Sequence, residues 1–449
     1  MWARGAHPIV PAVLYRIVRQ LVAAALRLFY RLKIRAGTVP DGPVMFVGNH
    51  PNAMIDPSLV FALTERRVTF LAKAPLLTMP VLGFVMRRLG ALPVYRRQDD
   101  PTQMGRNEGT LDAAAAALAG GGAITIFPEG RSHSEPGLGE IRTGAARIVL
   151  KAARLGARVH IVPVGLTYED KTLFRSEVLI QIDEAIDTAP LIPRDASGEP
   201  EAVRSITDRI EERLRAVTLN LEQWEDLPIA QTAEALFALR VGEAPRDPER
   251  LRAFANGMSL LRTEQPERFD ALRSRVAAFG RRLGLVRATP RDLALVYRAD
   301  QVAVFAARNV AALLLGFPLF ALGMAIFAVP YWVVRLIVHL ARPHPDMQAT
   351  VKVAVALFVY PLWVILIAAL VARAGGWAGA ALIVVGAIPL ALFTRYFFER
   401  RTEALDDVRT FFVLGSRASL KARLLAEGDS LAREIELLVR ELRGRVAPA

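Results

Sequence analysis

The chain has 449 residues, more than one domain of usual size, and 53% of them are hydrophobic, a high share for a purely soluble protein. Its 57 Lys and Arg outnumber 44 Asp and Glu, a net +13 that suits an anionic partner: nucleic acid, a phosphorylated substrate or an acidic membrane face. The absence of cysteine excludes disulfides, thiol catalysis and cysteine-held metals. No nucleic-acid motif accompanies the charge, and six scattered histidines form no metal-ligand pattern, so neither nucleic acid nor a metal is expected.

The chain opens Met-Trp-Ala-Arg-Gly, without the uninterrupted apolar core of a signal peptide. Residues 9–35 interleave apolar side chains with Arg16, Arg19, Arg27, Arg31, Lys33 and Arg35. Arginines inside the apolar stretch are costly at mid-bilayer. Residues 1–38 therefore read as a basic amphipathic helix at the membrane interface. A core-packing helix with solvated arginines is the plainer alternative.

Residues 39–198 alternate strand-like and helix-like segments. Short aliphatic runs recur at 44–47, 68–71, 92–95, 123–127, 160–164 and 178–182, with helical stretches at 57–65, 111–119 and 143–155. This alternation predicts an α/β fold, a largely parallel sheet flanked by helices. Residues 199–300 turn helical and charged, with Pro and Gly between segments.

Residues 301–400 are membrane-like. Stretches 309–334, 353–372 and 375–394 hold 26, 20 and 20 residues without a charge, each long enough to cross about 30 Å of hydrocarbon. Lys352 before and Arg395, Arg400 and Arg401 after predict a hairpin over 353–394 with both ends cytoplasmic. Arg335 and Arg342 then predict that the first stretch, with Pro318, Gly323 and Pro330 inside it, dips in and returns. Residues 401–449 read as a cytoplasmic helical tail broken near Gly415 and Gly428, packed on the catalytic domain or on another chain.

Four blocks carry the chemistry. In the first, an apolar run over 44–47 ends in a turn, Gly48-Asn49-His50-Pro51-Asn52, followed by Asp56-Pro57. A histidine at the carboxyl end of a strand stands where α/β sheets bind ligands. A neutral imidazole can take a proton from a hydroxyl attacking a carbonyl, and a carboxylate on its other nitrogen fixes the tautomer. Asp56 before Pro57 also fits a simple helix start.

The second block runs from Lys73 to Arg97, where Lys73, Arg96 and Arg97 bracket an apolar stretch punctuated by Gly and Pro. These cations can hold a phosphate, or be solvated surface charge. The apolar run can line an acyl channel or lie against lipid. The third block, Ile126-Phe-Pro-Glu129-Gly130-Arg131-Ser132, follows another strand. Its turn presents Glu129 to substrate hydroxyls and Arg131 to phosphate, unless it is a plain turn. His133 reads as incidental, while Arg142-Thr-Gly144 opens a helix whose N-terminus can add to an anion site. The fourth block, over 159–168, is a strand interrupted by Pro163 and Gly165, with His160 structural.

The ordered set N-H-P-N-A-M-I-D-P, K…P-V-L-G-F…R-R-L-G…P-V-Y-R, F-P-E-G-R-S and I-V-P-V-G-L resembles the glycerolipid acyltransferase superfamily, over about 40–185. Five residues separate His50 from Asp56, one more than in the most familiar form of the motif. This spacing resembles the fungal-type glycerol-3-phosphate/dihydroxyacetone-phosphate acyltransferases and their bacterial relatives.

The resemblance implies a membrane-bound O-acyltransferase of phospholipid biosynthesis. His50 would be the general base and Asp56 its partner. Glu129, Gly130, Arg131 and Ser132 would bind the acceptor, with Lys73 and Arg96 near its phosphate. The donor would be an acyl-CoA or acyl-carrier-protein thioester, with no cofactor. Rival readings are a 1-acylglycerol-3-phosphate (lysophospholipid) acyltransferase and a non-catalytic membrane lipid-binding protein. A transporter fits less well, because the apolar stretches hold no acidic residue.

Overall fold

The structure, a computed structural model, describes residues 10–442 except 36, 97–99, 194, 295–298, 346 and 417. Arg97 and residues 1–9 lie outside the described residues. The chain divides into two compact units: the first runs to Asn220 and takes in the segment His344–Thr350, and the second holds Leu221–Pro343 and the chain from Val351 on.

In the first unit, α1 (Ala12–Phe29) leads into β1 (Arg31–Arg35), β2 (Val44–Gly48), α2 (Ile55–Leu63), β3 (Val68–Lys73), α3 (Ala74–Thr78) and α4 (Pro80–Arg88). Then follow β4 (Leu92–Val94), α5 (Asn107–Ala119), β5 (Ala123–Ile126), α6 (Gly144–Arg154), β6 (His160–Tyr168), β7 (Glu177–Ile182), β8 (Ile186–Asp187) and α7 (Glu199–Val217). The sheet order is β1-β7-β6-β2-β5-β3-β4, with β8 also beside β6. Strands β6, β2, β5, β3 and β4 run parallel. Strands β7 and β8 run against β6, and β1 follows β7. The sheet is therefore largely parallel with a mixed edge.

Central strands buried on both faces read as unbroken apolar runs, and every residue of β2 is buried. Met45 and Val47 of β2 share one core with Ala115 of α5, Ile148 of α6 and Ile206 of α7. On β3, Leu71 packs toward that core and its neighbour Phe70 toward α1 and α2, the two-residue alternation of a strand. Tyr15 of α1 meets Phe61 of α2 edge-on at 5.2 Å. Helices thus cover both faces.

Two elements differ from the sequence boundaries. The sheet starts before residue 39, because β1 pairs with β7. Helix α7, expected in the helical region, belongs to the first unit: Ile206, Ile210 and Leu214 lie in the sheet's core. Helix α1 buries Tyr15, Ala23 and Leu26 and leaves Val13, Leu14, Ile17 and Leu21 exposed. An apolar face turned outward beside arginines fits a membrane surface.

The second unit holds α8 (Asp226–Arg240), α9 (Pro248–Glu264), α10 (Pro266–Leu285), α11 (Pro290–Ala294), α12 (Ala299–Ala341), α13 (Gln348–Gly375), α14 (Trp377–Ser416) and α15 (Ala418–Leu442). Leu236 of α8, Phe279 of α10 and Leu293 of α11 share a core with Leu424, Leu431 and Ile435 of α15. The tail therefore packs on this helical region, and α15 runs unbroken through Gly428, which lets Phe279 and Leu236 approach its backbone.

Segments Val310–Ala341, Gln348–Gly375 and Trp377–Arg401 are long and apolar enough to cross a membrane. The expectation that the first folds back on itself is not met: α12 is one continuous helix with Pro318 and Pro330 inside it. An apolar helix tolerates these prolines because its neighbours can meet the backbone groups they free. Gly316 and Gly323, in place of a turn, receive Phe397 and Thr394 of α14.

Candidate active site

Parallel strands β2 and β5 are neighbours, so the chain leaving each begins at the same sheet edge. After Gly48, the last β2 residue paired with β6, Asn49 continues the ladder with its side chain. Its Nδ2 donates to the Leu166 carbonyl at 2.9 Å, and its Oδ1 accepts the Leu166 N–H at 2.8 Å. The chain then turns through Ala53, whose φ of +32° takes up the long spacer, and re-enters helix at Ile55. This turn returns Asp56 to His50.

His50 Nδ1 lies 2.8 Å from Asp56 Oδ2. The same oxygen accepts the Asn52 N–H at 2.6 Å, and Asp56 Oδ1 accepts the Tyr168 hydroxyl at 2.6 Å. Three donors offset the cost of fully burying this carboxylate. The helix cap is Met54, so Asp56 serves the histidine and not the helix end. With Nδ1–H on Asp56, the lone pair sits on Nε2. The imidazole stacks on Phe127 at 4.3 Å and keeps 18% of its side-chain surface exposed, while Asp56 keeps none. His50 is therefore the member of the pair that can meet a substrate.

Glu129 and Gly130 follow β5 in a turn closed by the Gly130 N–H to the Phe127 carbonyl, and Gly130 takes φ +71°. Glu129 points inward. Its Oε1 accepts the backbone N–H of His50 at 3.0 Å, Oε2 is held by His133 Nε2, and the Gly139 N–H adds a third bond. Burial pushes Glu129 up to about 7, against the lowering effect of its hydrogen bonds and of His50. His133 is lowered, first by burial and then by Arg131. Its Nδ1 accepts the Glu135 N–H at 3.2 Å, so Nε2 carries the proton given to Glu129. From the sequence, Glu129 is expected to meet substrate hydroxyls and His133 to be incidental. The fold instead occupies both Glu129 oxygens with protein donors and makes His133 one of them.

Arg131 is exposed on the outer side of this turn, next to the half-buried Ser132. The Arg142 side chain covers Gly130 so closely that a Cβ there would lie 3.1 Å from its Cδ. Arg142 thus lies over this glycine turn and Arg131 follows it in the chain, two arginines of the type that can hold phosphate. Lys73 ends β3 and Arg96 lies two residues past β4, further along the same edge. His160 opens β6 opposite Val44, at the other edge of the sheet from His50.

The fold also recruits residues that no motif marks. Lys171 Nζ donates to the Pro51 carbonyl at 2.9 Å and to Ser134 Oγ at 2.6 Å, tying the two turns together. Asn52 Nδ2 donates to the Tyr30 hydroxyl at 3.1 Å, and that hydroxyl donates to the Lys171 carbonyl at 2.6 Å. Tyr168 is raised well above its ordinary value by burial and by the Asp56 charge, so it stays a donor. Only a polar residue closing an apolar strand could have flagged Tyr168.

An acyltransferase family model matches residues 31–167. Glycerol-3-phosphate O-acyltransferase 1 of Saccharomyces cerevisiae is 26% identical over 321 residues, covering 50% of this chain and 42% of that protein. Glycerol-3-phosphate O-acyltransferase 2 of the same yeast is 32% identical over 119 residues, covering 26% of this chain and 16% of that protein. The chain thus spans less than half the length of either. A solved 1-acyl-sn-glycerophosphate acyltransferase from Thermotoga maritima aligns at 19% identity and TM-score 0.33, covering 45% of this chain and 81% of that one. Through residues 31–167 the sheet domain matches the acyltransferase family, and its fungal relatives are glycerolipid acyltransferases by name.

Proposed function

We propose that the protein is a membrane-bound O-acyltransferase that moves a fatty acyl group from an acyl-CoA or acyl-carrier-protein thioester to a hydroxyl of glycerol-3-phosphate or dihydroxyacetone phosphate. The observation that carries this reading is the His50–Asp56 pair, whose imidazole keeps 18% of its side-chain surface exposed while its Nδ1 is held by the buried Asp56. In the mechanism, His50 Nε2 takes the proton of the acceptor hydroxyl as its oxygen attacks the thioester carbonyl carbon. The new C–O bond gives a tetrahedral adduct. Collapse breaks the C–S bond, and the departing thiolate takes the proton back from His50. Asp56 stabilises the transient imidazolium and holds the ring, as Asn52 and Tyr168 hold Asp56.

Arg131, with Arg96 and Lys73, binds the acceptor phosphate, and Glu129, Gly130 and Ser132 shape the turn that presents Arg131. The +13 charge and the three apolar helices suit anionic substrates and a product released into lipid on the cytoplasmic side. The acceptor assignment rests on the five-residue spacer and on the activities named for the two yeast relatives. The test is acyl transfer by the purified, detergent-solubilised chain. Both thioesters are supplied against glycerol-3-phosphate, dihydroxyacetone phosphate and 1-acylglycerol-3-phosphate. His50→Ala and Asp56→Ala are expected to lose transfer by about 10³-fold or more. Near-normal rates in folded variants sink the mechanism, and preference for the lysophospholipid sinks the acceptor.

A further inference from the structure

Helices α8, α10, α11 and α15 form one packed body, and that body constrains how the apolar helices meet a bilayer. Beyond the shared core, Arg240 of α8 pairs with Asp429 at 3.2 Å and Glu436 at 3.1 Å, and Arg268 of α10 with Glu441 at 2.9 Å. These bonds run along much of α15. Helix α12 begins at Ala299, just past α11, and α14 ends at Ser416, two residues before α15. The chain therefore goes into the membrane from this body and comes back to it. Three complete crossings would leave those two points on opposite faces, separated by about 30 Å of hydrocarbon. An odd number is incompatible with the packed body.

Side-chain contacts identify the helix that stays on one side. Gly316, Phe320 and Gly323 of α12 lie against Phe397 and Thr394, with the Phe320 and Phe397 rings stacked at 4.7 Å. Those α14 residues are the last of its apolar stretch, beside Arg395, Arg400 and Arg401. One turn further, the Ile326 carbonyl accepts from Trp363 Nε1 at 2.7 Å, and Phe327 stacks with Tyr360 at 6.1 Å. Tyr360 lies only two turns beyond Lys352, roughly 12 Å along the α13 axis. Both contacts put the middle of α12 in the half of the membrane bounded by Lys352 and Arg401. Basic residues agree: Arg308 on one side and Arg335 and Arg342 on the other bound the uncharged stretch of α12, whereas the α13–α14 turn has Arg373 alone.

We propose that α13 and α14 cross the bilayer as a hairpin, while α12 lies embedded in the leaflet on the side of the helical body. Helix α12 needs no fold-back for this. Its backbone bonds are internal, and its apolar surface, with Leu314, Leu315 and Leu340 mostly exposed, meets acyl chains all round. A helix about 10 Å thick fits a leaflet of about 15 Å. Arg308 and Arg335 then reach the same interface by extending their side chains.

Because the chain has no cysteine, single-cysteine reporters read its sidedness directly. Ser274→Cys on α10, Ser430→Cys on α15, Pro345→Cys after α12 and Ala374→Cys before the α13–α14 turn all lie at exposed positions. Each is placed in the full chain in membrane vesicles of known orientation and exposed to a membrane-impermeant maleimide. Ser274→Cys, Ser430→Cys and Pro345→Cys are expected to react from one face, and Ala374→Cys only from the other. Reaction of Pro345→Cys from the Ala374 face means that α12 crosses, and overturns the proposal. Ser274→Cys and Ser430→Cys on opposite faces overturn the parity argument, and Ala374→Cys on the Ser274 face overturns the hairpin. Met347→Cys is a second reporter for the same loop, should Pro345→Cys fold poorly. No acyl transfer is measured, so the result stands apart from the catalytic reading.

Discussion

The backbone N–H of His50 donates to the Glu129 carboxylate at 3.0 Å, which hangs the turn after β2 on the turn after β5. Glu129 thereby positions the histidine through the main chain, while Asp56 positions it through the ring. Any change at Glu129 is felt at His50.

Glu129 also gives stability a pH dependence of known sign. Its folded value of about 7 lies above the ordinary 4.5, so the folded carboxyl holds its proton more tightly than the unfolded one. Stability from this group is therefore full below about 4.5 and lost as pH rises to about 7, by on the order of 3 kcal/mol. Thermal unfolding of wild type and Glu129→Gln between pH 5 and 8 should show the wild type losing ground to the variant up to about 7. Parallel curves would contradict the burial effect.

Tyr168→Phe removes the hydroxyl on Asp56 Oδ1 but keeps the ring against Tyr30. Loss of one charge-assisted bond to a buried carboxylate costs about 1.5 kcal/mol, so kcat is expected to fall about tenfold with KM within twofold. Steady-state kinetics check this. An effect on KM alone would place Tyr168 in substrate binding instead.

Arg131→Ala is expected to raise the KM for a phosphorylated acceptor by about 10- to 100-fold, with Arg131→Lys intermediate because it keeps charge and loses the fork. Arg131 is exposed, so its removal leaves the fold intact, which a melting curve verifies. An unchanged KM refutes the phosphate role.

Gly165→Ala tests the junction of β6 and α7. A Cβ there would overlap the Val217 carbonyl, and backbone cannot rotate away as a side chain can. Destabilisation of about 3 kcal/mol is expected, read as a lowered melting temperature. A neutral result would mean that α7 shifts freely on the sheet.

Much of the sheet was legible because central strands buried on both faces are short apolar runs, as in 44–47 and 123–126. Strand β1 was not, since Arg-Leu-Lys-Ile-Arg at an exposed edge carries charge and little apolar signal. The partner of helix α7 was not legible for a related reason. Periodicity reports that a helix has an apolar face and says nothing about what covers it. The break expected at Gly428 failed because a helical glycine can serve close packing, here against Phe279, as readily as a turn.

By itself the sequence determined which residue types stand at the strand ends: His50 and Asp56 after one, Glu129 and Arg131 after another, with three apolar stretches beyond. Local spacing and hydropathy suffice for that, because turns and buried strands are short-range features. Only the tertiary structure decided what those side chains touch. Asp56 meets Tyr168 across 112 residues of chain, and Glu129 turns inward to His50 instead of outward to solvent. It also brought α15 back to α8 and α10, which is what limits the apolar helices to an even number of crossings. Such contacts join points far apart in the chain, where pattern carries no information and only packing and hydrogen-bond satisfaction choose the partner.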